Sequence, residues 1–527
     1  MTKVNKHFFK KNWSLIALLA IVLFCVFLRF YKLGVEPNGF SWDEAAVGYN
    51  AWSIFHTGAD EWGNKLPLVF RSFEDYKHPV HIYLTVPFVA VFGLTEFATR
   101  ASSALFGVLS VVAIYFLAIE MFRNKPVALF ASLSLAFSPY NIHFSRFNHE
   151  LNFAVLFLIL GLYLVLLGLR RKDYLVSVGF GVLGFDLLTY HSAKIVVPVV
   201  TLFLIAIYIK EFLKVKKYFV CGLVAFLFFV LLIVLEPNLL GIARVEQTSD
   251  LNSWSLTNIF EKYKTHFSLE YLFEIGDSNP RLSAQNGNFY VFESIFMIFG
   301  LIMSLYKLLV KKEKAFLILL VWILISPLPA SISTEYPHAG RAMYMTGSMH
   351  LLIAVGIGWL FSTLRNFNLK FVAALFLIVL YSYMVYGFVS SYSEYSERYA
   401  IEWQYGMREV VEFVKAHPEY YKVYMTNIRQ QPYIFYLFYE NKDPSKFLKS
   451  AKYDSSSERS FNTVRAYDRY QFGGWDTVES IPNPEILYIV QPADYVGLRL
   501  REIFDIQYLV KYPNGVEAFY IVSGKTN

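Results

Sequence analysis

The stretch "ATRASSALFGVLSVVAIYFLAIEMFRNK", from Ala98 to Lys125, sets the terms for the whole chain. Its middle, 101–121, is an apolar block long enough to cross a hydrocarbon core roughly 30 Å thick. The basic "RNK" at 123–125 closes it. Blocks of this kind recur along the 527 residues, of which 56% are hydrophobic, 18% aromatic and only 17% charged. A soluble protein carries closer to about a quarter charged residues. The composition gives a polytopic membrane protein. The net charge of +7 is no sign of a nucleic-acid partner, because Lys and Arg sit in short loops between apolar blocks. Both cysteines, Cys25 and Cys221, fall inside such blocks, so no disulfide framework is expected.

The basic segments fix an expected topology. They are "KHFFKKN" near the N-terminus, "RNK" at 123–125, "RRK" at 170–172, "KEFLKVKK" at 210–217, "KLLVKKEK" at 307–314 and "RNFNLK" at 365–370. Placing all of them on the cytoplasmic face gives about eleven crossings. These are 14–31, 101–121, 126–140, 152–169, 174–190, 195–209, 218–235, 289–306, 315–330, 343–363 and 371–390. The first lacks a small-residue cleavage site and reads as a retained span, with the N-terminus cytoplasmic. The block 79–93, "PVHIYLTVPFVAVFG", is short and contains His81 and Pro87. It reads as a juxtamembrane or half-inserted helix on the outer face. Counting it as a crossing would invert every later face against the charge rule.

Two domains follow: a mainly α transmembrane domain over 1–390, with an outer loop at 32–99, and a soluble extracytoplasmic α/β domain over 391–527. In the latter, "WQYGMREVVEFVKAH" has helical periodicity, while "KVYMTN", "ILYIVQP" and "AFYIVSG" look like short strands. "FGGWD" at 472–476 reads as a turn, and no glycine-rich nucleotide fingerprint is present.

The polar residues of interest fall almost entirely in the expected outer segments. Loop 32–99 holds Asp43 and Glu44 within "GFSWDEAAVGYNAW", then "FEDYKHP" with Lys77 and His78. Loop 141–151 gives Arg146, His149 and Glu150; the turn "YHSAK" gives Tyr190, His191 and Lys194; loop 331–342 gives Glu335, His338 and Arg341. Ionisable groups at membrane depth are costly and usually pair or serve a site. Clusters at the mouths of different spans suggest a cavity open to the outside. A carboxylate there can act as general base. Lys and Arg can hold a phosphate and stabilise it as it departs. Trp42, Tyr49, Trp52 and Tyr76 offer flat faces with polar tips to a sugar or headgroup.

These same residues carry a resemblance. "DE" just after the first span, "KHP" opening a short outer helix, "ATRASSALFGVLSVVAIYFLAIEMF", "SPYNIHFSRFNHE", "TEYPHAGRAM" and "EWQYGMREVVEFVK" occur in an order that resembles glycosyltransferase family 39. That family includes the dolichyl-phosphate-mannose protein mannosyltransferases and is similar to the aminoarabinose transferases. The resemblance implies a GT-C membrane fold and a polyprenyl-phosphate-linked sugar as donor. It also implies inverting transfer on the outer face to a protein, lipid or glycan acceptor. It maps the catalytic acid onto Asp43, with Glu44 beside it, and the basic residue before the helix proline onto Lys77 or His78. Arg146 and Glu150 fall where relatives place donor-contacting groups. The chain departs from the family's common "KPP" by reading "KHP".

Plainer roles stand beside these. Asp43 and Glu44 suit a helix start, Lys77 and Arg341 suit headgroup anchors, and Arg100 can anchor the span it begins. Arg146 and Glu150, four apart, suit a helix-surface pair, and Tyr190, His191 and Lys194 suit the end of one span and the start of the next. No zinc signature such as HExxH appears and no cofactor is assigned, although Asp43, Glu44 or Glu150 are compatible with a divalent metal. A transporter or flippase of lipid-linked sugars is the competing function. It calls for polar residues at mid-span, whereas here they cluster on one face, with Asp186 and Glu120, late in their spans, the few exceptions.

Overall fold

The computed structural model describes residues 3–73, 75–241, 255–427, 431–453, 464–474, 482–497 and 500–525. From the N-terminus come α1 (Lys3–Phe30), α2 (Trp42–Thr57), a hairpin of β1 (Phe70–Ser72) and β2 (Asp75–Lys77), and α3 (Pro79–Phe92). Then follow α4 (Glu96–Phe122), α5 (Lys125–Phe137), α6 (Pro139–Ser145), α7 (Glu150–Arg171), α8 (Leu175–Asp186), α9 (Ala193–Lys214) and α10 (Lys216–Leu235). The later long helices are Glu293–Leu309, Ala315–Ile325, Met345–Thr363 and Phe367–Arg398. The chain packs as two compact units, residues 1–31 with 103–391 and residues 32–102 with 392–527.

Seven of the described helices are long and apolar enough to cross a membrane: α1 from Asn12, α4, α7, α9, α10, Met345–Thr363 and Phe367–Arg398. Every expected crossing coincides with a helix, but four do not form a straight span of full length. The block 126–140 is broken between α5 and α6 by a 57° bend. The break follows from Pro139, which cannot donate into a continuing helix, and from Ser138, whose hydroxyl accepts the N–H of Asn141 at 3.4 Å and caps a new one. The blocks 174–190, 289–306 and 315–330 hold shorter helices. Apolarity marked these crossings; helix breaks did not show in it. Glycine lets α7 and α8 lie close together: a Cβ on Gly179 would sit 2.7 Å from the Val165 backbone nitrogen.

Basic loops meet in pairs within this first unit. Glu120 accepts Arg170 at 2.6 Å and Arg123 at 3.2 Å, joining the segments 123–125 and 170–172. Lys314 reaches Glu211 at 2.9 Å, joining 307–314 to 210–217. Each pair of loops therefore lies together at one end of its helices, as the charge rule expects.

The second unit is built on a seven-stranded mixed sheet, ordered β4 (Lys452–Tyr453), β5 (Val464–Tyr467), β6 (Tyr470–Gly473), β3 (Lys422–Thr426), β7 (Ile486–Val490), β9 (Glu517–Gly524) and β8 (Phe504–Lys511). β3 runs parallel to β6 and β7; the remaining pairs are antiparallel. The expected helix appears as Met407–Ala416, and the three expected strands as β3, β7 and β9. The start of "FGGWD" is strand instead of turn, since Phe472 and Gly473 pair with Met425 and Thr426. Trp475 and Asp476 lie outside the described residues.

One face of this sheet, through Val423, Met425, Leu487, Ile489, Phe519 and Ile521, shares a core with Ala45, Ala46 and Tyr49 of α2 and with the helix Tyr433–Tyr439. Alternate residues, Tyr424, Tyr488, Tyr520 and Val522, fill a second core on the opposite face, as a period of two requires. The segment 32–102 is thus not a free loop: it folds onto the C-terminal sheet. Gly39 makes the approach close, with φ +102° and a Cβ position only 2.4 Å from the Trp403 carbonyl oxygen.

Candidate active site

α2 begins with a complete capping box. The Ser41 hydroxyl accepts the Glu44 N–H at 3.3 Å, and the Glu44 carboxylate accepts the Ser41 N–H at 3.3 Å. The adjacent acids then part company. Glu44 is fully buried, and Arg100 of α4 grips both its oxygens at 2.9 and 3.2 Å. The same guanidinium donates to the carbonyls of Leu33, Pro37 and Gly39, so it ties down the segment leading into α2. Asp43 points elsewhere. Its carboxylate is about a third exposed and accepts Lys77 Nζ at 2.5 Å.

The β1–β2 hairpin delivers that lysine. Phe70 pairs with Lys77, which is the last residue of β2, and His78 follows as the buried N-cap of α3 with Pro79 in its first turn. Proline there fixes the turn from strand to helix, so Lys77 is carried on a rigid corner. Glu61, which sequence reading did not single out, is buried nearby. It receives the Asn50 amide at 3.1 Å and the Tyr433 hydroxyl at 3.2 Å. Burial pushes its carboxyl up to about 8, against the pull of the Asn50 and Tyr433 hydrogen bonds and of Lys77. Two signals were present: "DE" recurs at 60–61, and Asn50 lies two helical turns beyond Asp43 on the same side of α2.

The first unit gathers most of the other candidates. The His149 and Tyr190 rings meet edge to face at 5.9 Å, and Tyr190 meets His191 at 5.5 Å. Lys194 contacts His191 Nδ1 at 3.3 Å and donates to the Leu239 carbonyl. Ser192 donates to the Arg341 carbonyl at 2.8 Å. Arg341 and His338 both face Glu335, at 3.7 and 3.6 Å, and Arg341 Nη1 is buried without a hydrogen-bond partner among the described residues. Glu150 pairs with His149 at 3.3 Å.

His338 stays neutral here. Its Nδ1 accepts the Arg341 N–H at 3.1 Å, and burial, then the Arg341 charge, hold the ring well below the ordinary histidine range. Asp277 and His266 also belong to this neighbourhood. Asp277 accepts the Ala339 N–H at 2.6 Å, and burial lifts its carboxyl to about 6. His266 Nε2 accepts the His338 N–H at 3.2 Å. Both residues come from the segment 236–288, in which sequence reading named no candidate.

Arg146 has a separate task. Its Nη1 donates to the carbonyls of Leu28 and Tyr31, at 3.0 and 2.9 Å, and closes the C-terminal end of α1. It belongs to the end of α6 while Glu150 opens α7, so the two do not share one helix. The acids late in their spans are satisfied as well: Glu120, near the end of α4, by Arg170 and Arg123, and Asp186, the last residue of α8, by the Tyr344 hydroxyl at 3.1 Å and the Thr189 hydroxyl at 2.9 Å. Among the described residues, no three His, Cys, Asp or Glu side chains converge to hold a metal ion.

Residues 76–234 match the family described as dolichyl-phosphate-mannose-protein mannosyltransferase. ArnT from Cupriavidus metallidurans, solved bound to undecaprenyl phosphate, superposes with a TM-score of 0.58 at 14% identity, over 97% of this chain and 98% of that one. The chain has the GT-C fold. The oligosaccharyltransferase of Archaeoglobus fulgidus in its apo form gives 0.52 at 13% identity, over 97% of this chain and 74% of its own. The same organism's oligosaccharyltransferase AglB, with an inhibitory peptide and a dolichol-phosphate, gives 0.51 at 15% identity over 82% and 64%. No curated protein matches the chain by sequence. The resemblance to family 39 stands, and the matched region opens at Tyr76 beside Lys77, so it takes in the corner that presents Lys77.

Within this GT-C chain the two clusters differ in kind. The α2 terminus holds an accessible carboxylate already engaged by a lysine. The His149–Arg341 cluster holds cations, imidazoles and ring faces, and cations are the groups that bind phosphate oxygens.

Proposed function

We propose that the protein is a membrane glycosyltransferase that moves a sugar from a polyprenyl-phosphate-linked donor to an acceptor on the extracytoplasmic face, with inversion. The family match over 76–234 and the GT-C fold support the class of enzyme and of donor. One observation carries the assignment of the base. Of two adjacent acids on a capped helix, Glu44 is buried and taken up by Arg100, whereas Asp43 remains accessible beside Lys77.

In this reading Asp43 takes the proton from an acceptor hydroxyl or amine as its oxygen or nitrogen attacks the anomeric carbon. The bond from that carbon to the phosphate oxygen breaks, and polyprenyl phosphate leaves with the electron pair. Lys77 holds the carboxylate in place. Within the other unit, the Arg341, Lys194 and His338 cluster carries donors of the kind that suit phosphate, and Tyr190 and His149 carry ring faces of the kind that suit a sugar. The N-terminus is cytoplasmic and the domain after 391 extracytoplasmic. A transporter reading calls for polar groups at the middle of spans, and Glu120 and Asp186 stand instead near the ends of α4 and α8.

The test is reconstitution in liposomes with a polyprenyl-phosphate sugar carrying radiolabel. Acceptor-dependent release of polyprenyl phosphate supports transfer. Movement of labelled lipid between leaflets without such release would overturn it in favour of transport.

A further inference from the structure

The second unit also contains an open cleft of 290 Å³, where Glu96, Gln404, Arg408, Glu409 and the phenols of Tyr405 and Tyr439 stand beside apolar lining such as Phe40. None of these residues has a part in the chemistry above. Arg408 is paired with Glu96 at 2.5 Å, and the Tyr439 hydroxyl donates to the same carboxylate at 2.5 Å. The charged lining is therefore two carboxylates against one guanidinium. That balance repels phosphate and other anions. What remains is the Gln404 amide nitrogen, two phenol rings whose hydroxyls are held by Glu96 and Glu409, and carboxylate acceptors. Such a set hydrogen-bonds hydroxyl groups and gives a sugar ring flat surfaces to lie against.

The cleft is tied to the α2 terminus on both sides of Asp43. The Gln404 side-chain oxygen accepts the Trp42 N–H at 2.6 Å. Glu96 lies one turn from Arg100 on α4, and Arg100 holds Glu44. Residues 42 and 44 thus each connect to the cleft lining, directly or through one arginine.

We propose that this cleft is a second saccharide site, which takes a neutral, hydroxyl-rich sugar unit of the acceptor and steadies the helix end that carries Asp43. Sugar binding stands on the cleft alone; the acceptor role rests on the transferase reading.

Saturation-transfer NMR tests it on the full chain in detergent. The probes are the methyl glycosides of glucose, mannose and N-acetylglucosamine, a neutral disaccharide, and glycerol 3-phosphate. The expected result is transfer to at least one neutral sugar and none to glycerol 3-phosphate. Glu409→Ala should weaken that sugar about tenfold, the loss of one hydrogen bond to a charged group, and Glu409→Gln should weaken it less. Asp43→Asn should bind as wild type, which also shows that the variant is folded. Silence with every neutral sugar, preference for glycerol 3-phosphate, or undiminished binding by Glu409→Ala overturns the site. A wild-type protein that binds sugar yet releases no polyprenyl phosphate from the donor would instead leave the cleft standing and sink the transferase reading.

Discussion

Lys77 Nζ stands 2.5 Å from Asp43 Oδ1, on a hairpin corner that a proline makes rigid. The carboxylate is about a third exposed, so the ion pair contributes little to stability, on the order of 0–1 kcal/mol. Its value is positional. Lys77→Gln should therefore leave the melting temperature within a few degrees of wild type, while transfer falls by roughly 10² or more, the usual scale for a misplaced catalytic group. Thermal melting in detergent and an initial-rate assay on one preparation check both parts.

Glu44 should behave in the opposite way. It and Arg100 form a pair with no exposure on either side. Removing one partner strands a buried charge, at a cost of about 3–5 kcal/mol. Glu44→Ala should lose folded protein on fluorescence-detected gel filtration, and Arg100→Ala should do the same. A Glu44→Ala enzyme that is well folded and merely slow would contradict the structural role.

The buried Glu61 gives stability a pH slope. Its carboxyl sits at about 8 in the folded protein against 4.5 unfolded. Between those limits the unfolded chain releases a proton that the folded chain keeps. Stability contributed below the lower value is therefore lost as pH rises, by up to about 1.4 kcal/mol per unit, and levels off above the higher one. Glu61→Gln should remove this slope and melt higher than wild type at pH 8. A variant whose melting temperature follows the wild-type curve from pH 5 to 8 would contradict the assignment.

Arg341 should govern donor binding. Its Nη1 is buried without a partner among the described residues, beside Ser192, His338 and Glu335. Arg341→Ala should raise the KM for the polyprenyl-phosphate donor about tenfold or more, with Arg341→Lys intermediate, because a lysine cannot reproduce the fork. A change confined to the acceptor KM would contradict a phosphate role.

Much of the fold was legible because hydrophobic blocks and basic loops report it directly. The contacts of Glu120 with Arg123 and Arg170, and of Lys314 with Glu211, join loops that the charge pattern had assigned to one face. Helix breaks were less legible: Pro139 stands inside an apolar run, and only the Ser138 cap shows that a new helix starts there. The packing of 32–102 on the C-terminal sheet was invisible in sequence, since Ala45, Ala46 and Tyr49 carry no mark of a partner some 350 or more residues away. For the proposed site, residue type and position were enough to single out Asp43, Lys77, His338 and Arg341 as candidates. The resemblance mapped the base onto Asp43 and left Glu44 a candidate beside it; the structure adds that Glu44 is buried against Arg100. Residue type and position did not reveal Arg146 as a helix cap, or Glu61 and Asp277 as buried acids.

The measurement that bears most directly on Asp43 as the base is mass spectrometry of surface glycans and lipid-linked sugars in wild-type, deletion and Asp43→Asn strains, with membrane levels of the protein matched. The expected result is that deletion and Asp43→Asn lose the same sugar decoration and accumulate the same polyprenyl-phosphate sugar. If the deletion alters the glycans while Asp43→Asn leaves them as in wild type, Asp43 is not the base and the transferase mechanism proposed for this chain is wrong.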